Sequence, residues 1–245
     1  MPVVLRTVTA TRYVTPLREG GSLPGIVEAD DDGLYVLKFH GAGQGPKALA
    51  AEIVAGELAR DLGLPVPELV LIELDPALGN AEPDPEIQEL IAASAGINLG
   101  VDFLPGSLPY NPEQPPDPEL AANVVWLDSL VTNVDRTPRN PNLLRWHSNL
   151  YLIDHGAALY AFHASDPLER ARGTFPAIRE HVLLGAAGSI DDADARLAAQ
   201  AEPAKAAALV PPEWANGDLY AAFLDKRLEG PREWAQEAER ARVAR

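Results

Sequence analysis

A polar segment at 132–142 limits most strongly how this chain can fold: Thr-Asn-Val-Asp-Arg-Thr-Pro-Arg-Asn-Pro-Asn. Pro138 and Pro141 lack a backbone N–H, so they exclude a helix here. An apolar stretch before the segment predicts a helix over 119–131, and two short apolar runs after it favour a β-hairpin over 142–153. The sequence therefore predicts an ordered polar loop between a helix and a hairpin.

The acids and amides of this region have the spacing of a phosphoryl-transfer site. Asp135 would accept or orient the proton of an attacking hydroxyl, and Asn140 and Asp154 would hold Mg²⁺ against nucleotide phosphates. Asn142 is an alternative amide ligand. The competing interpretation is a simple polar turn, because Asn, Asp, Thr and Pro all favour turns. The placement of Asp154 directly after an apolar strand and before His155-Gly156 argues against that interpretation.

A lysine in an apolar strand is the second candidate group. In Tyr-Val-Leu-Lys-Phe at 35–39, alternation places Lys38 on the face opposite Leu37. Glu52 lies near the start of the next predicted helix, and a lysine held by a helix glutamate is a kinase arrangement for contacting nucleotide phosphates. The competing interpretation leaves Lys38 in water and Glu52 on a solvated helix face.

The first half of the chain predicts a sheet with one main early helix. An Asp-Gly pair at 32–33 between two apolar runs predicts a hairpin. The glycine-rich segment around Gly21 and Ser22 lies where a kinase covers the nucleotide phosphates, although such segments are usually turns and this one matches no phosphate-binding motif. The predicted strands cover 3–14, 25–29, 34–39, 70–74 and 97–104, and the predicted helices cover 47–62 and 85–95.

The second half is predicted to be mostly helical around the small hairpin, which would turn at 147–149. From about 167 onward we expect three or four Ala-rich helices, separated at 185–190, 211–212 and 230–231. The whole pattern predicts an α+β fold of two lobes. The N-terminal lobe, 1–104, would carry an antiparallel nucleotide-binding sheet, and the C-terminal lobe, 105–245, would carry the catalytic loop and metal site.

Composition narrows the function classes. The net charge of −16 disfavours direct nucleic-acid binding, and the lack of cysteine excludes disulfides and thiolate chemistry. No apolar run reaches membrane-spanning length and no signal peptide is evident, so we expect a cytoplasmic protein without membrane contacts. The five histidines lack zinc-ligand spacing.

Together these segments resemble the HipA-like kinases, in particular a short stand-alone bacterial HipA-like kinase domain. The resemblance spans roughly 20–160. It rests on the strand 35–39, Glu52 with Leu-Gly-Leu-Pro-Val-Pro at 62–67, Leu127-Asp128, the loop 133–142 and Ile-Asp-His-Gly at 153–156.

The resemblance implies a protein-kinase-like two-lobed fold, ATP with Mg²⁺, and transfer to a Ser/Thr hydroxyl. By position, Lys38 would contact ATP phosphates with Glu52 orienting it, and Asp135 would be the catalytic acid/base. Asn140 and Asp154 would bind metal. The adenine hinge would be Asp102-Phe103-Leu104. The acceptor, an unknown protein or a small molecule, stays open. The alternatives are a small-molecule kinase and a catalytically weak pseudokinase that acts as a nucleotide-binding interaction module.

Several residues depart from common kinase patterns or have more than one candidate role. Asn133-Val134 precede Asp135 in place of His-Arg, and His155 replaces an aromatic residue. Asp128 would either pin the loop by hydrogen bonds or lie solvated on its helix. Arg136 and Arg139 could contact phosphate or an acidic substrate. Hydroxyls near the expected site are candidates for autophosphorylation: Ser22, Ser107 and Thr137.

Overall fold

The computed structural model describes residues 4–17, 23–43, 45–164 and 166–245. The chain divides into two compact units, the first formed by 1–50 and 67–105 and the second by 51–66 and 106–245. In the described part of the chain, no helix is long and apolar enough to cross a membrane.

The first unit contains a five-stranded barrel. Its strands follow the order β1-β2-β3-β5-β4 and enclose alternating apolar side chains such as Val27, Leu37 and Ile72. Because the sheet closes on itself, it leaves no unpaired edge within this group. The strands are β1 (Thr7–Pro16), β2 (Gly25–Ala29), β3 (Leu34–Lys38), β4 (Leu69–Leu74) and β5 (Gly96–Asp102).

The prediction of a wholly antiparallel sheet was wrong at one pairing. β1 pairs with β4 in parallel, with Thr7 opposite Leu71 and Thr9 opposite Glu73. The cause is the length of β1, whose second half pairs antiparallel with β2 while its first half remains available to β4. The sequence separates β1 from β4 by more than one element, so local hairpin signals could not show this closure.

The β2–β3 hairpin has the predicted turn. The N–H of Ala29 donates to the Gly33 carbonyl at 3.0 Å, and Asp31 accepts the Gly33 N–H at 3.1 Å. Asp32 has a φ of 63°, a left-handed conformation that Asp tolerates better than most residues. The Asp-Gly signal was therefore sufficient to locate this turn.

The predicted second helix is α2 (Pro85–Ala93), which begins after the N-cap Asp84.

Helix α1 (Pro46–Asp61) has its predicted end. Gly63 has a φ of 77°, the Leu64 N–H donates to the Ala59 carbonyl, and the Gly63 N–H donates to the Arg60 carbonyl. This pair of bonds is a Schellman motif, which satisfies carbonyls at a helix end and favours glycine. The division between the two compact units falls inside α1, between Ala50 and Ala51.

The second unit carries the predicted hairpin. Its strands β7 (Leu143–Trp146) and β8 (Asn149–Leu152) join β6 (Leu108–Pro109) in a small antiparallel sheet. His147 and Ser148 both have positive φ, as a tight hairpin turn requires. Helix α3 (Pro118–Leu130) precedes the polar loop and begins with the N-cap Asp117, whose side chain accepts the Glu119 N–H at 2.9 Å.

The C-terminal helices are separated at the three predicted places, 185–190, 211–212 and 230–231, and also at 198–202, where no break was predicted. The expected helix between 167 and 185 is absent from the described residues there, and short 3₁₀ turns at Pro167–Arg170 and Pro176–Glu180 replace it. The prolines and Gly173 account for the difference, because they interrupt or weaken helical hydrogen bonding. The helices are α4 (Ile190–Leu197), α5 (Pro203–Ala207), α6 (Gly217–Leu228) and α7 (Glu233–Val243).

Candidate active site

The loop after α3 places two asparagine amides on one carboxylate. Nδ2 of Asn140 donates to Oδ2 of Asp135 at 2.8 Å, and Nδ2 of Asn142 donates to the same oxygen at 3.3 Å. The Thr137 N–H donates to the backbone carbonyls of Asp135 and Asn140. These bonds close the proline-containing loop on itself and fix the direction of the Asp135 carboxylate.

The same loop contacts the segment that holds Asp154. Nδ2 of Asn142 also lies 3.5 Å from the Asp154 carbonyl oxygen, and the Ile153 N–H donates to the Asn142 carbonyl at 3.1 Å. Asn142 and Asp154 both have positive φ, 49° and 55°. Non-glycine residues in this conformation are uncommon and often occur at functional sites. The structure thus brings Asp135, Asn140 and Asp154 into one connected group.

A buried ionic network lies behind this loop. Asp128 on α3 forms an ion pair with Arg136, with Nε and Oδ2 2.5 Å apart, and both side chains have no exposed surface. Nε2 of His181 lies 2.9 Å from the same Asp128 oxygen, and Nδ2 of Asn133 donates to the other at 3.0 Å. The sequence-based role of Arg136 as a substrate or phosphate contact was wrong, because a buried guanidinium cannot reach a substrate. Arg139 remains exposed.

The hydrogen bonds of this network define its charge state. Burial alone raises the pKa of Asp128, but the Arg136 charge and the His181 hydrogen bond outweigh it, so the pKa lies well below its ordinary value. Burial lowers the pKa of His181, and its Nδ1 accepts the Leu183 N–H at 3.1 Å. His181 is therefore neutral with its proton on Nε2, which donates to the ionised Asp128.

Sequence reasoning left open whether Asp128 is solvated, and the structure answers that it is fully buried. It did not identify His181 at all. One signal was available for Asp128: its helix is apolar on every side, which is typical of a buried helix. A carboxylate in such a helix needs a buried cationic partner. No local pattern pointed to His181, because its partner lies 53 positions away.

The described residues among the predicted nucleotide contacts of the first unit lie at the end of β3, at the end of β5 and directly after β5. Lys38 is half-buried and opposite Leu99 in the register. The Asp102 N–H donates to the Glu68 carbonyl and the Phe103 N–H donates to the Leu34 carbonyl, so both amides are used within the sheet. Burial raises the pKa of Asp102. Leu104 is buried, whereas Gly21 and Ser22 lie outside the described residues.

Glu52 is buried within α1, with 2% of its surface exposed. The competing interpretation of Glu52 as a residue on a solvated helix face was therefore wrong. A buried carboxylate requires hydrogen bonds or a cationic partner, so Glu52 remains a candidate functional residue.

The sequence matches the HipA-like kinase family over residues 11–223. This match covers most of the chain. The chain belongs to the HipA-like kinase family. It is accordingly a phosphotransferase, and the resemblance on the loop 133–142 and the strand 35–39 correctly identified the family. No curated protein matches the chain.

Two solved structures share the fold of this HipA-like kinase. A Helicobacter pylori proinflammatory kinase, CtkA, is 14% identical with a TM-score of 0.59, covering 97% of this chain and 99% of that one. A Golgi casein kinase determined with Mn/ADP bound is 12% identical with a TM-score of 0.52, covering 99% of this chain and 74% of that one. These similarities establish a kinase-like α+β fold.

Within the part of the chain that the structure describes, the acidic residues of this HipA-like kinase do not form a metal cage by themselves. Among the described residues, no group of three or more His, Cys, Asp or Glu side chains is arranged to hold a metal ion. Because the amide nitrogens of Asn140 and Asn142 both turn toward Asp135, their side-chain oxygens point away from its Oδ2.

Proposed function

We propose that this chain is an ATP- and Mg²⁺-dependent kinase that transfers the γ-phosphate to a Ser/Thr hydroxyl. The observation that carries the proposal is the loop geometry, in which Asn140 and Asn142 both donate to Asp135 while Asn142 also bonds the Asp154 backbone. Phosphoryl transfer depends mainly on positioning and charge neutralisation, so a rigid loop that presents an acid and oxygen ligands suits it.

Asp135 would serve as the base. Both amide donors bind Oδ2, which leaves Oδ1 to accept the proton of the acceptor hydroxyl. A base held in one orientation loses less entropy when it meets its substrate, and general base catalysis of this kind contributes about 10²–10⁴-fold to rate.

The residues present fit a divalent cation. Mg²⁺ is usually bound through one or two carboxylates together with substrate phosphates, so a protein cage of three acids is not required. Asp154 and the side-chain oxygen of Asn140 would be the protein ligands, since Asn140 is exposed and Asn142 is buried and engaged with two acceptors. When bound, the cation neutralises charge on the transferring phosphate. The Golgi casein kinase with Mn/ADP supports this choice by its shared fold.

The nucleotide contacts complete the proposal. Lys38 would contact the phosphates with Glu52 orienting it, and Gly21 and Ser22 would cover them. Asp102, Phe103 and Leu104 would form the adenine hinge in a two-lobed arrangement of 1–104 and 105–245. Since the Asp102 and Phe103 amides are engaged, the donor to adenine would be the Leu104 N–H.

Two measurements test this function. A thermal-shift titration with ATP and Mg²⁺ should raise the melting temperature of the protein, and Asp154→Asn should reduce the shift, because ligand binding to the native state stabilises it. A screen of protein and small-molecule hydroxyl acceptors with labelled ATP should then find transfer to Ser/Thr. Transfer to small molecules alone would support the small-molecule kinase, and binding without any transfer would support the pseudokinase.

A further inference from the structure

The most heavily buried charged group of the second unit lies directly behind the candidate loop. The side chains of Asp128 and Arg136 have no exposed surface, and that of His181 is 2% exposed. Such groups are costly to desolvate, and apolar replacements of a buried ion pair are often as stable as the pair or more so. The network therefore calls for a role other than stability.

Arg136 joins three segments through its guanidinium. Nε is bound by Asp128 of α3. Nη1 donates to the Asn142 carbonyl and, at 3.3 Å, to the Ile153 carbonyl. Nη2 lies 3.3 Å from Nδ1 of His155. One side chain thus holds the end of the loop that carries Asp135 and both residues that flank Asp154.

Asp128 extends the same connection to the other end of the loop. Its Oδ1 accepts from Nδ2 of Asn133, and Oδ1 of Asn133 accepts the Asp135 N–H at 3.1 Å. Its Oδ2 receives Arg136 and the Nε2 proton of neutral His181. The loop is therefore fixed at both ends from a single carboxylate.

We infer that Arg136, held by Asp128 and His181, is the positioning residue that aligns Asp135 with Asp154. This inference rests on the proposed function of those two acids. Arg136 touches neither substrate nor cation; it acts by fixing the backbone on which both acids stand. Residues that orient metal ligands in this indirect way typically change metal affinity or activity by about 10–100-fold when altered.

Arg136→Lys is the appropriate variant, because lysine retains the charge but cannot donate in the several fixed directions of a guanidinium. Arg227→Lys is a matched control. Arg227 is also buried, and its guanidinium donates to four backbone carbonyls, those of Ser129, Leu130, Ala171 and Gly173. None of these belongs to the loop or to the Asp154 segment, so both variants lose a buried guanidinium but only one loses it at the site.

Hydrogen exchange detected by mass spectrometry tests the positioning without any need for turnover. Arg136→Lys should deprotect peptides covering 132–143 and 152–159, whereas Arg227→Lys should deprotect peptides around 129–131 and 171–173. Kinase assays should show a fall in kcat of about tenfold or more for Arg136→Lys with a higher Mg²⁺ requirement. Arg227→Lys should leave both unchanged in the folded protein.

His181 provides a second pair of variants. His181→Gln can retain a donor toward Asp128, while His181→Asn can retain the acceptor for the Leu183 N–H but loses the donor. Activity should be better preserved in His181→Gln than in His181→Asn.

The inference is overturned if Arg136→Lys shows the same hydrogen-exchange pattern as Arg227→Lys, or if it keeps wild-type kcat and Mg²⁺ dependence. If wild type shows no phosphotransfer, the proposed function fails while the exchange pattern still decides the positioning.

Discussion

Nδ2 of Asn140 lies 2.8 Å from Oδ2 of Asp135, and this hydrogen bond closes the six-residue segment 135–140, which contains Pro138. A carboxylate and an amide at this spacing thereby become one rigid unit. Asn142 adds a second bond to the same oxygen but is buried, whereas Asn140 is exposed. The two asparagines should therefore respond differently to substitution.

Replacing Asn142 with alanine should destabilise the protein by about 1–2 kcal/mol, because a buried amide with two acceptors is lost. Replacing Asn140 with alanine should change stability by less than about 0.5 kcal/mol, since the side chain is exposed. Chemical denaturation of both variants measures the difference. Equal losses would contradict the distinction between a structural and a ligand-binding asparagine.

Substitutions of Asn140 and Asn142 should also differ in their effect on the Mg²⁺ concentration that phosphotransfer requires. Asn140→Ala removes a proposed oxygen ligand, so the Mg²⁺ concentration for half-maximal phosphotransfer should rise by about tenfold. A titration of activity against Mg²⁺ gives this value. An unchanged Mg²⁺ requirement in Asn140→Ala would show that the Asn140 side chain is not a Mg²⁺ ligand.

Stability should fall as the pH drops below about 6.5, the ordinary pKa of histidine. Burial lowers the pKa of His181, so between its folded value and 6.5 the unfolded chain binds a proton that the folded chain does not. One such proton contributes a slope of at most about 1.4 kcal/mol per pH unit. Denaturant unfolding from pH 8 to pH 5 measures this slope, and His181→Gln should flatten it.

Protonation of Asp128 should also destabilise the protein as the pH falls, but at a lower pH than protonation of His181. The pKa of Asp128 is lowered on folding. Its pH-dependent contribution to the free energy of unfolding is therefore complete above pH about 4, the ordinary pKa of Asp, and is lost as the pH falls further. Asp128→Asn should therefore reduce the loss of stability on acidification below pH 4. A variant with the wild-type acid profile would show that this carboxylate is not ionised in the fold.

The barrel should be sensitive at Gly100 of β5. A Cβ at this position would collide with side-chain atoms of Ile72 and Val70. Gly100→Ala should cost about 1–3 kcal/mol, the usual price of overpacking a core. Gly185→Ala is a suitable control, because the nearest atom is the end of the Arg245 side chain at 3.6 Å. Similar melting temperatures for the two variants would contradict this packing.

Local signals in the sequence predicted most of the strands and helices, because the ends of these elements depend mainly on neighbouring residues. Proline and glycine located the C-terminal end of α1 and the loop 132–142, and the Asp-Gly pair located the β2–β3 turn. The parallel closure of β1 on β4 and the His181–Asp128 contact were beyond such reasoning, since each joins segments far apart in the chain. The buried state of Arg136 was missed for the same reason, because its burial depends on elements that fold around it.

Release or transfer of the labelled γ-phosphate from ATP, measured in wild type and in Asp135→Asn with Mg²⁺ present, tests the central claim most directly. Counting phosphate delivered to the protein, to added hydroxyl acceptors and to water makes the result independent of the natural acceptor. We predict transfer by wild type and a reduction of about 10²–10⁴-fold in Asp135→Asn, with binding of ATP retained. Nucleotide binding without transfer by wild type, or equal transfer by the variant, would contradict the proposal.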